Sequence, residues 1–167
     1  MSGYIGFEGP EQFSVVELTF CNEFGVTDSF RFSKNGIDTV SKPEPLAKGE
    51  ADGLETAMYE CGINDGSKYS IPPADEGFCY LSVTTEIKNV SDRMLEADTK
   101  DIQLICGNEK YGNLFPDMSA VFIPPGKHIR RELVMCVPVG SDKFALVQTK
   151  TKDTVLFEFD VPHDNSQ

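Results

Sequence analysis

Two histidines, five cysteines and a few carboxylate clusters are the residues of this 167-residue chain that could carry chemistry. His128 follows a Pro-Pro-Gly turn beside Arg130 and Arg131, and His163 lies in the polar tail PHDNSQ. A Ser/His/Asp or Cys/His site would need His128 as its base. No nucleophile elbow, P-loop or GxGxxG accompanies it. The expectation is a surface turn histidine and no enzyme. Soft ligands for copper would come from Met118, His128, Met135 and Cys136. Met135 and Cys136 are neighbours, so on a strand they point to opposite faces and do not easily share one ion. Core packing is expected for one of them. Oxygen ligands for calcium are offered by Asn64–Gly66 and by Asp92, Glu96, Asp98 and Asp101. None has EF-hand spacing, so a solvated acidic loop is expected. Paired carboxylates for glycoside hydrolysis lack support as well. No catalytic, cofactor-binding or metal-ligating residue is assigned.

The cysteines are Cys21, Cys61, Cys79, Cys106 and Cys136. They form no CxxC pair and fit no zinc spacing. An odd count leaves at least one thiol free in a monomer. Buried reduced cysteine is the expected state for most, with one or two disulfides left open.

Any such residues must be held by a fold, and the composition bounds it. The chain is long enough for one domain with a sizeable core, needing no metal or disulfide to fold. The net charge is −12. Residues 1–76 hold 14 acids and 5 bases, and residues 77–167 hold 13 acids and 10 bases. No basic stripe exists to neutralise phosphates, which disfavours nucleic acid. The N-terminus lacks the basic and apolar regions of a signal peptide, and no apolar run reaches membrane-helix length.

Short apolar runs separated by Gly, Pro, Asn and Asp indicate an all-β protein. FSVVELTF (Phe13–Phe20) and SFRFS (Ser29–Ser33) read as strands joined through Asn22–Asp28. SKPEPLAKGEADG (Ser41–Gly53) reads as a linker or long surface loop. LETAMYECGI (Leu54–Ile63) could pass for a short helix by propensity, but its position among strands argues for a strand. IQLIC (Ile102–Cys106) and EKYGNLF (Glu109–Phe115) read as a hairpin around Gly107-Asn108. IPPGKH (Ile123–His128) is a rigid corner feeding IRRELVMCVPV, with KFALVQT and TVLFEFDV closing the chain. In EGFCYLSVTTEIKNVSD, Cys79, Leu81, Val83, Thr85 and Ile87 share an apolar face, and Tyr80, Ser82, Thr84, Glu86 and Lys88 a mixed one. In the last strand Val155, Phe157, Phe159 and Val161 alternate with Leu156, Glu158 and Asp160.

The ordered phrases of the second half carry a resemblance. A Gly-led strand holds Gly77, Val83, Ile87, Asn89 and Ser91. Asp101, Leu104, Gly107 and Tyr111 follow, then Pro125 and Gly126, then Val137, Pro138 and Gly140. This order, over roughly Leu54 to Val161, resembles the immunoglobulin-like, telokin-like domain of uncharacterised bacterial secreted proteins and lipoproteins. That sandwich is related to a mycobacterial secreted immunogenic antigen. The resemblance implies a sandwich and an exported location, and brings no catalytic residues with it. The long strand becomes a central core strand, and Asn89-Val90-Ser91-Asp92 the corner where it leaves the sheet, closed by short side-chain hydrogen bonds. The other reading of Asn89-Val90-Ser91 is a glycosylation acceptor.

The fold expected is all-β, an immunoglobulin-like antiparallel β-sandwich of about eight strands with an added N-terminal hairpin. Residues 1–45 form the extension packed on the main domain, 46–163 the sandwich and 164–167 a tail. Phe13, Phe20, Phe24, Phe30 and Phe32 are too much apolar surface to leave in water, so the extension is expected at a sheet edge. The loop Ser41–Gly53 is then the patch for a basic partner. The function expected is a non-catalytic binding or accessory module of the bacterial cell surface, its partner a protein or cell-envelope component. The alternatives are an exported metal-handling protein (copper or calcium) and an acidic, cytoplasmic inhibitor or immunity-type protein binding a basic enzyme.

Overall fold

The computed structural model describes residues 15–21, 27–33, 44–115 and 120–161. Phe13, Phe24, the turn after Asn22, Ser41, Met118 and His163 lie outside the described residues. The strands are β1 (Val15–Cys21), β2 (Thr27–Ser33), β3 (Ala47–Ala51), β4 (Leu54–Asn64), β5 (Phe78–Asn89) and β6 (Leu95–Ala97). They continue with β7 (Ile102–Cys106), β8 (Glu109–Gly112), β9 (Val121–Ile123), β10 (His128–Pro138), β11 (Lys143–Gln148) and β12 (Thr154–Asp160). A six-stranded sheet runs β1-β2-β10-β5-β4-β3, a four-stranded one β12-β11-β7-β8, and β6 pairs with β9. The fold is an all-β antiparallel sandwich, as the sequence indicates, but with more strands than the eight expected. Of the added ones, β6 and β9 are three residues long and too short to announce a period.

The core lies between the two larger sheets. Leu81, Val83 and Ile87 from β5 and Leu133, Met135 and Val137 from β10 face Leu104, Phe144, Leu146, Phe157 and Phe159. Thr85 shares the β5 face and is fully buried, its hydroxyl donating to the Arg131 carbonyl at 3.1 Å. The opposite face of β5 is less wet than its mixed composition suggests. Residues 65–77 cross it: the Tyr80 hydroxyl donates to the Pro72 carbonyl at 2.9 Å, and Tyr80 and Glu86 are both buried.

Three expectations need correction. The stretch Ser41–Gly53 is not all loop, because Ala47–Ala51 is β3, paired with β4 from Ala47↔Met58 to Ala51↔Leu54. Its Lys, Gly and Glu hide the strand, and only Asp52-Gly53, both at positive φ (53° and 80°), form the turn. Gly49 explains part of that composition. A Cβ there would lie 1.9 Å from the Leu156 carbonyl oxygen, so glycine lets the edge of one sheet press on the edge of the other. In β12 the simple alternation also breaks. Leu146 pairs with Phe157 and Val147 with Val155, leaving Leu156 as an extra residue. This β-bulge turns Val155 to solvent (55% exposed) and buries Leu156. Finally, His128 is not a surface turn residue. It opens β10, pairs with Lys88 and with Thr27 of β2, and its side chain is only 15% exposed.

Candidate functional site

The end of the sandwich where β5 leaves its sheet is the most constructed part of the surface. Asn89 is fully buried there and uses its whole amide. Its Nδ2 donates to the Arg93 and Ile123 carbonyls, both at 2.7 Å, and its Oδ1 accepts from the Ser91 N–H at 2.9 Å and hydroxyl at 2.8 Å. The Asn89 N–H donates to the Lys127 carbonyl and its own carbonyl accepts from Gly126. The Val90 N–H donates to the Gly53 carbonyl at 3.0 Å. Asn89 thus ties the β9–β10 turn to the 89–93 corner, and its neighbour Val90 ties that corner to the β3–β4 turn. An amide so engaged is closed to glycosylation in the folded protein.

Three turns meet beside this corner around a cavity of about 250 Å³. Its walls are Asp52 from the β3–β4 turn, Leu54 of β4, Arg93, Leu95 and Glu96 from the corner and β6, and Lys150 and Thr151 from the β11–β12 turn. The Arg93 backbone is clamped, its carbonyl accepting from Asn89 and Ser91 and its N–H donating to the Ser91 hydroxyl. The Lys150 ammonium donates to the Glu96 carbonyl at 2.9 Å and lies 3.4 Å from the Glu96 carboxylate. The Thr151 hydroxyl donates to Asp52 Oδ2 at 2.8 Å. Thr149 anchors that turn through its N–H and hydroxyl on the Asp101 carbonyl.

The carboxylates weighed for calcium fall partly here. Glu96, Asp98 and Asp101 line one small cavity with Lys150. Lysines already serve two of them: Lys150 pairs with Glu96 and Lys100 Nζ lies 2.6 Å from Asp98, which also caps the short helical turn 99–101 by accepting from the Lys100 N–H. Burial pushes the Asp98 carboxyl up, but the Lys100 ammonium and N–H outweigh it and leave it below its ordinary value. Asn64 and Asp65 instead spend their side-chain oxygens on the N–H groups of Gly66 and Ser67. Among the described residues no three His, Cys, Asp or Glu side chains converge as a metal site. For copper, Met135 is wholly in the core, and Cys136 is on the other face of β10.

On the outer face of the larger sheet, Glu132 accepts from the Lys68 ammonium and the Tyr69 hydroxyl, both at 2.7 Å. Burial pushes its carboxyl up, and these two donors more than offset it, holding it below its ordinary value. Further along, Glu86 Oε2 lies 3.6 Å from His128 Nε2 and 3.8 Å from Arg130 Nε. Cys61, Cys79, Cys106 and Cys136 are free thiols. Burial pushes the thiols of Cys61, Cys79 and Cys136 up. The sequence reading named Glu96 and missed Asp52, Arg93 and Lys150, whose positions share no spacing.

No family model matches this chain, and no curated protein matches it in sequence. Solved structures do match in fold. A candidate lipoprotein from Bacillus subtilis is similar at 19% identity with a TM-score of 0.56, over 74% of this chain and 40% of its own. This chain therefore spans well under half of that protein's length. A functionally unknown protein from Listeria monocytogenes is similar at 11% identity with a TM-score of 0.51, over 71% of this chain and 84% of its own. Both likenesses concern the fold. Among the described residues no helix is long and apolar enough to cross a membrane.

Proposed function

We propose that this chain is a non-catalytic binding or accessory module carried at the bacterial cell surface, built on the immunoglobulin-like sandwich its sequence resembles. The observation that carries the non-catalytic half is the engagement of Glu132 and Asp98 by donors that fix loops, and the shifts of five groups agree with it. A general acid near neutrality needs a carboxyl raised by its surroundings, and a nucleophilic cysteine needs a lowered thiol. Here Glu132 and Asp98 are lowered by donors that fix loops, and three thiols are raised by burial. Each shift suits a structural task. The cell-surface half draws on the Bacillus candidate lipoprotein, which shares the fold.

Two experiments test the halves separately. The natural full-length gene product, expressed in its host and fractionated, is expected with the membrane or cell wall; recovery wholly in the cytosol would end the surface reading. Esterase, glycosidase and phosphatase assays are expected to give no turnover. A turnover abolished in a folded His128→Ala variant would end the non-catalytic one.

A further inference from the structure

We infer that the cavity between Asp52, Leu54, Arg93, Leu95 and Thr151 is a binding site for a small zwitterion with an aliphatic body, such as a free α-amino acid. The inference deepens the reading of a binding module and rests on it. Two opposite charges exposed on the cavity wall, Arg93 and Asp52, form no ion pair with each other or with other described residues, whereas the neighbouring Lys150 and Glu96 satisfy one another. A ligand carrying both charges completes them: its carboxylate takes the guanidinium fork and its ammonium takes Asp52. Leu54 and Leu95 supply apolar surface between. At about 250 Å³ the space falls below the roughly 300–1,000 Å³ of drug-sized pockets, which fits a ligand of amino-acid size.

The site is also held ready. Three hydrogen bonds fix the Arg93 backbone beneath its exposed side chain, the Thr151 hydroxyl orients the Asp52 carboxylate, and the Val90 N–H ties the corner to the turn that carries Asp52. Less ordering is then left to be done at binding. Loops presented at one end of a rigid sandwich are a common place for recognition.

The test is titration of the ¹⁵N-labelled protein with L-leucine, followed by amide shifts, with N-acetyl-leucine and leucinamide as probes lacking one charge each. Saturable shifts confined to residues around Gly53, Arg93, Leu95 and Thr151 are expected in the millimolar range. Each single-charge probe should bind roughly tenfold more weakly or worse, the loss of one charge-assisted hydrogen bond. Arg93→Gln and Asp52→Asn should weaken leucine similarly. Both keep the fold, since Gln preserves the backbone clamp and Asn suits the positive-φ turn position. Absence of saturable shifts with L-leucine and L-valine, or equal binding of the single-charge probes, would overturn the site. With cell-surface fractionation intact, that failure removes the ligand and leaves the module reading standing.

Discussion

Replacing Asn89 by Ala tests whether the corner holds the site end together. The side chain is fully buried and makes four hydrogen bonds. After truncation the Arg93 carbonyl still accepts from the Ser91 hydroxyl at 3.0 Å. The Ser91 N–H and the Ile123 carbonyl each lose their Asn89 partner. The Ile123 carbonyl is buried, and such a group deprived of its partner costs about 1–3 kcal/mol, while the half-buried Ser91 N–H adds less, so the losses together come to about 1–4 kcal/mol. Against a typical total of about 5–15 kcal/mol, the midpoint is a large fraction of the whole. Urea unfolding followed by circular dichroism measures it, and the midpoint should fall with little change in slope. Asn89→Asp sharpens the test. It keeps the acceptor but removes the donors and buries a charge, so its carboxyl should be raised in the folded state. Protonation then favours folding, and this variant should regain stability as the pH falls, while Asn89→Ala should not. An Asn89→Ala protein within about 0.5 kcal/mol of the parent, the usual range of a surface change, would refute the account of the corner.

Gly49→Ala should destabilise by about 3 kcal/mol or more, because its Cβ meets backbone atoms of Leu156 that cannot rotate away; a thermal melt matching the parent would show that the sheet edges are not so close. Val83→Asp puts an unpaired charge at a fully buried core position and should cost several kcal/mol, checked by the same urea assay. Stability should fall below about pH 4.5, as Glu132 and Asp98 are lowered from their ordinary 4.5 and 3.8. The sign follows because carboxylates depressed in the folded state add stability above their ordinary values and lose it as pH falls through the folded ones; Glu132→Gln should flatten that fall, and an unchanged pH profile would remove its role. Cys61, Cys79 and Cys136, with thiols above their ordinary 9.0, should react slowly with a disulfide reagent at pH 7 and quickly in urea; equal rates would mean the thiols are not shielded.

Legibility of the fold tracked how directly a pattern maps onto one interaction. The β5 face of Leu81, Val83, Thr85 and Ile87 was readable because period-two alternation has a single cause, burial of one side. The Asn89 corner was readable because short polar side chains after a strand have few other uses. Alternation failed at Leu156, where a bulge turns Val155 outward, since a bulge inserts one residue without any change in residue type. It failed at β3 because Gly49 answers to Leu156, more than a hundred positions away, and not to its neighbours. The candidate site is the extreme of this trend. Asp52, Arg93 and Thr151 belong to three turns, and each alone looks like an ordinary turn residue. What makes them a set is the pairing that stacks those turns at one end of the sandwich, together with the bonds from Val90 to Gly53 and from Thr151 to Asp52. A sequence can announce the residue that closes one corner. The residues the turns then bring together become a group only once the strands are in register.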